Sequence, residues 1–307
     1  RVDSFANPNI VQNGKKLETN MDDYGADIFS DFIVDFIEKN KDDPFFVYYP
    51  MALVHDPFRP TPDSKDWNDL DKRNVGNNSK YFSDMVTYMD KVVGKITNAL
   101  KKNNLDKNTI LIFLGDNGTD SKVVTLNNGN EIKGSKGGTV KHASNVPMIV
   151  NWNKHNKDSR TSDALIDFTD FYATFEDILD IENPDSYGKS LLPLILNDSY
   201  KQRDVLITYY NPMWGTRALD RAVYAQNKTY KLYKSGKFFK YSEDIFEENP
   251  ISFNILNKEE NEIYNSLKKS LDSVPDLPTE NHNGWKERGK QVKQSNKFNS
   301  LWQLNIK

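Results

Sequence analysis

A chain of 307 residues with 41 Lys and Arg against 44 Asp and Glu, a net charge of −3, has no basic excess with which to hold nucleic acid. It contains no Cys, which excludes disulfides and thiol catalysis and leaves the redox compartment open. Hydrophobic residues make up 37%, yet 15 Tyr, 17 Phe and 5 Trp supply the apolar surface of a folded protein, and no apolar run approaches the ~20 residues of a membrane helix.

The chain opens at Arg1 in RVDSFANPNI with no signal peptide in view, so its natural start is expected upstream. Residues 1–20 are polar and read as irregular. Residues 24–40 place Ile28, Phe29, Phe32, Ile33, Phe36 and Ile37 on one face of a predicted helix, with acids opposite. PFFVYYP (44–50) is continuously apolar and reads as a buried strand. The four prolines nearby make HDPFRPTPDS (55–64) with its flank a loop. A long amphipathic helix follows over about 80–103, with Phe82, Met85, Met89, Val92, Val93, Ile96 and Leu100 as its stripe.

TILIFLG (109–115) reads as a second buried strand, ending at Asp116-Asn117-Gly118. A polar, glycine-rich loop is expected from there to 145, before a third strand in VPMIVNW (146–152) and a helix over 163–180. Strand, helix, strand, loop, strand, helix is the alternation of a layered α/β sheet. Beyond residue 200, DVLITYY, RAVYAQN, TYKLYKS and KFFKYS are short, aromatic-rich strands of a small antiparallel sheet. A boundary is therefore placed in LNDSYKQRD (196–204), giving an α/β domain over 1–200 and a smaller β-sheet subdomain with a helix over 201–307. The polar tail after 272 is expected to wrap over the surface.

In open α/β sheets ligands collect beyond the carboxyl ends of the strands. His55, Asp116, Asn117 and Lys136 (in GSKGGT) stand in loops around these strands, and are expected to converge in one pocket. Each alone has a plain alternative: D-N-G is an ordinary turn, His55 a satisfied loop histidine, Lys136 a solvated loop lysine. GNEIKGSK is not a phosphate-binding loop, because its order is Gly-Ser-Lys and no helix follows. Together, a carboxylate and a carboxamide are hard donors for Ca²⁺ or Mg²⁺, and a His and a Lys could neutralise a tetrahedral anion. The absence of Cys and the 4 His argue against zinc. Asn77, Asn117, Asn197 and Asn227 stand in glycosylation sequons, and a glycan on Asn117 would exclude its use as a ligand.

PFFVYYPMALVHDPF, YMDKVVGKI, NTILIFLGDNGT and KGGT…NVPMIVNW resemble, in order, successive blocks of the formylglycine-dependent sulfatases of the alkaline phosphatase superfamily. LIDFTDFYATFEDIL, YGKSLLPLI and YKLYKSGKFFKYSEDIFEENP resemble the family's later helix, Gly-x-Ser-leucine block and C-terminal subdomain. The resemblance covers about residues 20–255. It implies an α/β fold, a mixed or parallel sheet sandwiched by helices, with a smaller C-terminal antiparallel-sheet subdomain. It implies that Asp116 and Asn117 bind Ca²⁺ or Mg²⁺ and that His55 and Lys136 contact sulfate. It further implies a periplasmic or secreted enzyme, of bacterial style, hydrolysing sulfate esters, with sulfated carbohydrate as the expected substrate. The nucleophile motif, Cys or Ser followed by x-Pro-x-Arg, is not in this sequence, nor is the aspartate pair that completes the metal site; both are expected on an N-terminal part of the same fold. This chain alone is therefore expected to be inactive. Asn145 stands where the family commonly has a basic residue, which touches specificity. The alternatives are a phosphomonoester or phosphonate hydrolase of the same superfamily, and a non-catalytic fragment or binding protein with a degenerate site.

Overall fold

The computed structural model describes residues 5–155, 159–181, 187–212 and 221–277. They fall into two compact units, one of 1–134 with 146–160 and one of 135–145 with 161–307. Among the described residues no helix is long and apolar enough to cross a membrane. The expectation for the tail concerns mainly residues beyond 277, outside the described residues.

The first unit is built on two helices. In α1 (Gly25–Lys39), Ala26, Ser30, Ile33 and Ile37 recur at three- and four-residue spacing and are buried, while Phe29 and Phe32, expected on the same face, are exposed. In α3 (Phe82–Lys102) the buried stripe is Met85, Tyr88, Val92, Ile96 and Ala99 with Leu100. Tyr88 packs edge-on against Tyr24 with ring centroids 5.1 Å apart, and its hydroxyl donates to Asp27 at 2.8 Å. Lys95–Asp31 at 2.6 Å and Lys102–Glu38 at 3.0 Å continue that seam along the solvent side. Between these helices the proline-rich loop buries Phe58 against Phe82, and the short α2 (Leu70–Asn74) is capped by the Asp69 carboxylate.

Two stretches expected as loops contain hairpins. β1 (Val11–Gln12) pairs with β2 (Lys15–Lys16) across Asn13-Gly14, and β4 (Val124–Asn127) pairs with β5 (Asn130–Lys133) across Asn128-Gly129. All four turn residues have positive φ, between 51° and 82°, the type I′ geometry that Asn-Gly favours. The strand expected over 44–50 is corrected: this segment belongs to none of the sheets, and Phe46 and Tyr48 are 70% and 79% exposed. β3 (Leu111–Leu114) and β6 (Met148–Asn151) form where expected but are half-buried or alternating, and they pair antiparallel with Leu111 opposite Asn151. A fully buried strand needs neighbours and cover on both faces, and the described part of this sheet is two strands wide.

The second unit carries α4 (Lys141–Ser144), α5 (Asp170–Ile178) and α6 (Leu192–Leu196). The helix expected over 163–180 begins only at Asp170, because the Asp167 carboxylate accepts from Thr169 N at 2.7 Å and closes a turn there. The four expected C-terminal strands are β7 (Leu206–Tyr210), β8 (Ala222–Gln226), β9 (Lys231–Tyr233) and β10 (Phe238–Phe239), all antiparallel in the order β10-β9-β8-β7. Helix α7 (Lys258–Asp272), started by an Asn257–Glu260 capping box, buries Leu267 and Leu271 with Val223, Ala225, Leu232 and Phe238 of this sheet. The architecture is thus mixed α/β with a C-terminal antiparallel sheet.

Candidate functional site

Asp116 and Asn117 leave the sheet at the carboxyl end of β3. The last ladder contacts are Leu114 opposite Met148 and a bond from Gly115 N to Pro147 O at 3.0 Å. The chain then turns at Asp120, whose side chain accepts from Lys122 N at 2.8 Å. Gly134 closes on this turn so tightly that a Cβ there would lie 2.2 Å from the Asp120 carbonyl oxygen. Asp116 is exposed and Asn117 half-buried.

His55 stands in the loop after residues 44–50, with its backbone N bonded to Ala52 O at 2.9 Å and its ring exposed. Its Nδ1 lies 2.6 Å from the Asp56 carbonyl oxygen and 3.2 Å from an Asp56 carboxylate oxygen. A carbonyl oxygen only accepts, so Nδ1 carries a proton and Nε2 is the nitrogen left for an outside group. The other Asp56 carboxylate oxygen is 3.2 Å from Lys122 Nζ. One ion pair thereby joins the His55 turn to the loop that follows Asn117, within the first unit.

Lys136 belongs to the second unit. It occupies the first corner of a turn closed by Gly138 N to Ser135 O at 2.9 Å, with Gly137 at φ 85° in the second corner, as a type II turn requires. His142 Nε2 lies 2.7 Å from Ser135 Oγ and ties the start of this turn to α4. The structure therefore ties His55 to the loop after Asp116 and Asn117 and places Lys136 in a separate unit.

Asp116 and Asn117 offer one carboxylate and one carboxamide oxygen, against the about six to eight oxygens that Ca²⁺ takes. Among the described residues no three His, Asp or Glu side chains gather around a possible metal position. The pair fits such an ion in kind and supplies part of its shell. Sequence reasoning missed Asp56 and Lys122. It also missed a buried Lys231–Glu247 pair at 2.5 Å, because a lysine in TYKLYKS reads as a solvent-facing strand residue. Burial pushes the Lys231 ammonium below its ordinary pKa, against the pull of Glu247.

The sulfatase family profile matches residues 2–181, and that of the N-sulphoglucosamine sulphohydrolase C-terminal region matches 139–276. An N-acetylgalactosamine-6-O-sulfatase of Bacteroides thetaiotaomicron is 27% identical over 195 residues, covering 59% of this chain and 36% of that protein. The human arylsulfatase H is 26% identical over 273 residues, 78% of this chain and 47% of its own length. Among solved structures, Ps i-CgsB superposes with a TM-score of 0.65 at 24% identity, over 95% of this chain and 64% of that one. BT4656, solved in complex with its substrate D-glucosamine-2-N,6-O-disulfate, superposes at 0.67 and 18% identity, over 88% and 73%. The chain spans about a third to a half of the length of these curated relatives. With a family match over more than half its residues and this α/β fold, the chain belongs to the sulfatase family of the alkaline phosphatase superfamily.

Proposed function

We propose that this chain forms the metal-holding and sulfate-binding side of a sulfatase acting on sulfated carbohydrate, with a formylglycine nucleophile on a segment outside these 307 residues. The observation that carries the reading is the Lys122–Asp56 bridge, which couples the His55 turn to the loop carrying Asp116 and Asn117 beyond β3. The sulfated-sugar names among the relatives support the substrate class.

Asp116 and Asn117 would hold a Ca²⁺ or Mg²⁺ ion, which when bound supplies positive charge beside the anionic ester. His55, with its Nδ1 proton held by the Asp56 carbonyl, presents Nε2 to a sulfate or leaving oxygen. Lys136 takes the role of a fixed positive charge for sulfate oxygens, on a turn whose glycine corner admits no other residue type without strain. A periplasmic or secreted location goes with this reading.

The test is sulfate release from sulfated sugars by the extended protein, made in a host that forms formylglycine. His55→Ala and Lys136→Ala are each expected to lower kcat by roughly 10²–10³-fold. Full activity after both substitutions contradicts the assignment. Release of phosphate but not sulfate would move the protein to the phosphohydrolase branch.

A further inference from the structure

Behind the Lys136 turn lies a buried polar cluster that the proposed chemistry does not use. Lys231 is 0% exposed and its partner Glu247 is 4% exposed. Lys231 Nζ donates to Glu247 at 2.5 Å and to the Thr139 carbonyl at 2.7 Å, and it sits 4.6 Å and 5.3 Å from the ring centres of Tyr224 and Tyr241. The Tyr233 hydroxyl donates to the second Glu247 oxygen at 2.5 Å; having no other proton, it accepts from Thr139 Oγ1 at 2.9 Å. On the other side, the Tyr210 hydroxyl donates to the Gly137 carbonyl at 2.9 Å.

Three of these contacts, from Lys231, Tyr233 and Tyr210, reach one short segment, Gly137 to Thr139, immediately after Lys136, and Glu247 holds Lys231 and Tyr233 in place. Burying an ammonium and a carboxylate costs more than a hydrophobic pair of similar size would, so the cluster is poorly explained as a source of stability alone. It does fix the path of two peptide groups next to a lysine whose charge must stand in one place. We infer that Lys231, Glu247, Tyr233 and Tyr210 are positioning residues, which hold the Lys136 turn in the conformation that presents its ammonium to the substrate's anionic group. This rests on the sulfatase reading of Lys136. It adds that the C-terminal sheet takes part in turnover through that one turn.

The test uses the extended protein and two single-hydroxyl changes, Tyr233→Phe and Tyr210→Phe, which keep the rings packed. Amide exchange over residues 135–140 is expected to speed up by roughly 5–10-fold, the scale of one lost hydrogen bond, with β8 unchanged. With 4-nitrophenyl sulfate as the probe, kcat is expected to fall about 10-fold with little change in KM. In a Lys136→Ala background the same changes are expected to leave kcat where Lys136→Ala alone puts it, because they act through that side chain. Unaltered exchange at 135–140 overturns the inference, and so does an equal loss of kcat with or without Lys136. If the unsubstituted extended protein releases no sulfate, the sulfatase reading fails, and the exchange measurement still decides whether the cluster holds the turn.

Discussion

Asp170 shows what one residue can hold in this fold. It is fully buried at the start of α5, where its carboxylate accepts from Asp167 N and Lys189 N, each at 2.8 Å, and from both terminal nitrogens of Arg203. Removing one partner of a buried pair leaves the other charge uncompensated, so Asp170→Ala is expected to destabilise by about 3–5 kcal/mol. Urea unfolding checks this; a midpoint equal to that of the unsubstituted protein contradicts it. Gly134 is constrained by space instead. Gly134→Ala would push a methyl into the Asp120 and Thr119 carbonyls, and the backbone shift is expected to cost roughly 1–3 kcal/mol, read the same way. Neither role was legible in the sequence. DFTDFYATFEDI displays a helical period but not that its first Asp is buried, and a glycine does not announce which carbonyl lies over it. That Asp116 and Asn117 follow the end of a strand was legible, because an apolar run stops abruptly just before them.

At the scale of elements, long periodic segments were read well and punctuation less well. Both long helices end within a few residues of their expected bounds, since the apolar period runs their whole length and Asn40 and Asn103 bond back to their last turns. The hairpins at Asn13-Gly14 and Asn128-Gly129 were missed although Asn-Gly is a strong hairpin signal, because the first has strands of two residues and the alternation of Val124 and Leu126 beside the second spans only four. The segment 44–50 failed in the opposite sense: a continuous apolar run codes for a covered strand, and the described residues leave Phe46 and Tyr48 uncovered. The C-terminal sheet was legible in all four strands, and its buried tyrosines give it a pH signature. Burial, and then the Glu247 carboxylate, push the Tyr241 hydroxyl from 10 up to about 12. A raised folded-state pKa means this stabilisation is complete below pH 10 and is lost between pH 10 and about 12, as the unfolded chain ionises first. The loss from this one group is roughly 1.4 kcal/mol per pH unit across that window. Urea midpoints at about pH 9 and about pH 11 are expected to fall with pH, and less steeply in Tyr241→Phe. Equal slopes in the two proteins contradict the assignment.

At the scale of the molecule, each unit has its own core, one between α1 and α3 and one between the C-terminal sheet and α7. The family was legible from the order of its blocks, and the fold followed from it. His55, Asp116 and Asn117 belong to the first unit and Lys136 to the second. The nucleophile proposed for this chemistry is not among these residues, because no Cys or Ser followed by x-Pro-x-Arg is in the sequence. His55 and Lys136 can move protons or stabilise charge, which contributes ~10²–10⁴-fold and does not replace covalent attack. The most direct test of the account compares sulfate release by residues 1–307 alone with release by the extended, formylglycine-bearing protein under identical metal and substrate conditions. The account predicts metal-dependent release by the extended protein and none above background by the isolated chain; clear metal-dependent release by residues 1–307 alone would contradict it.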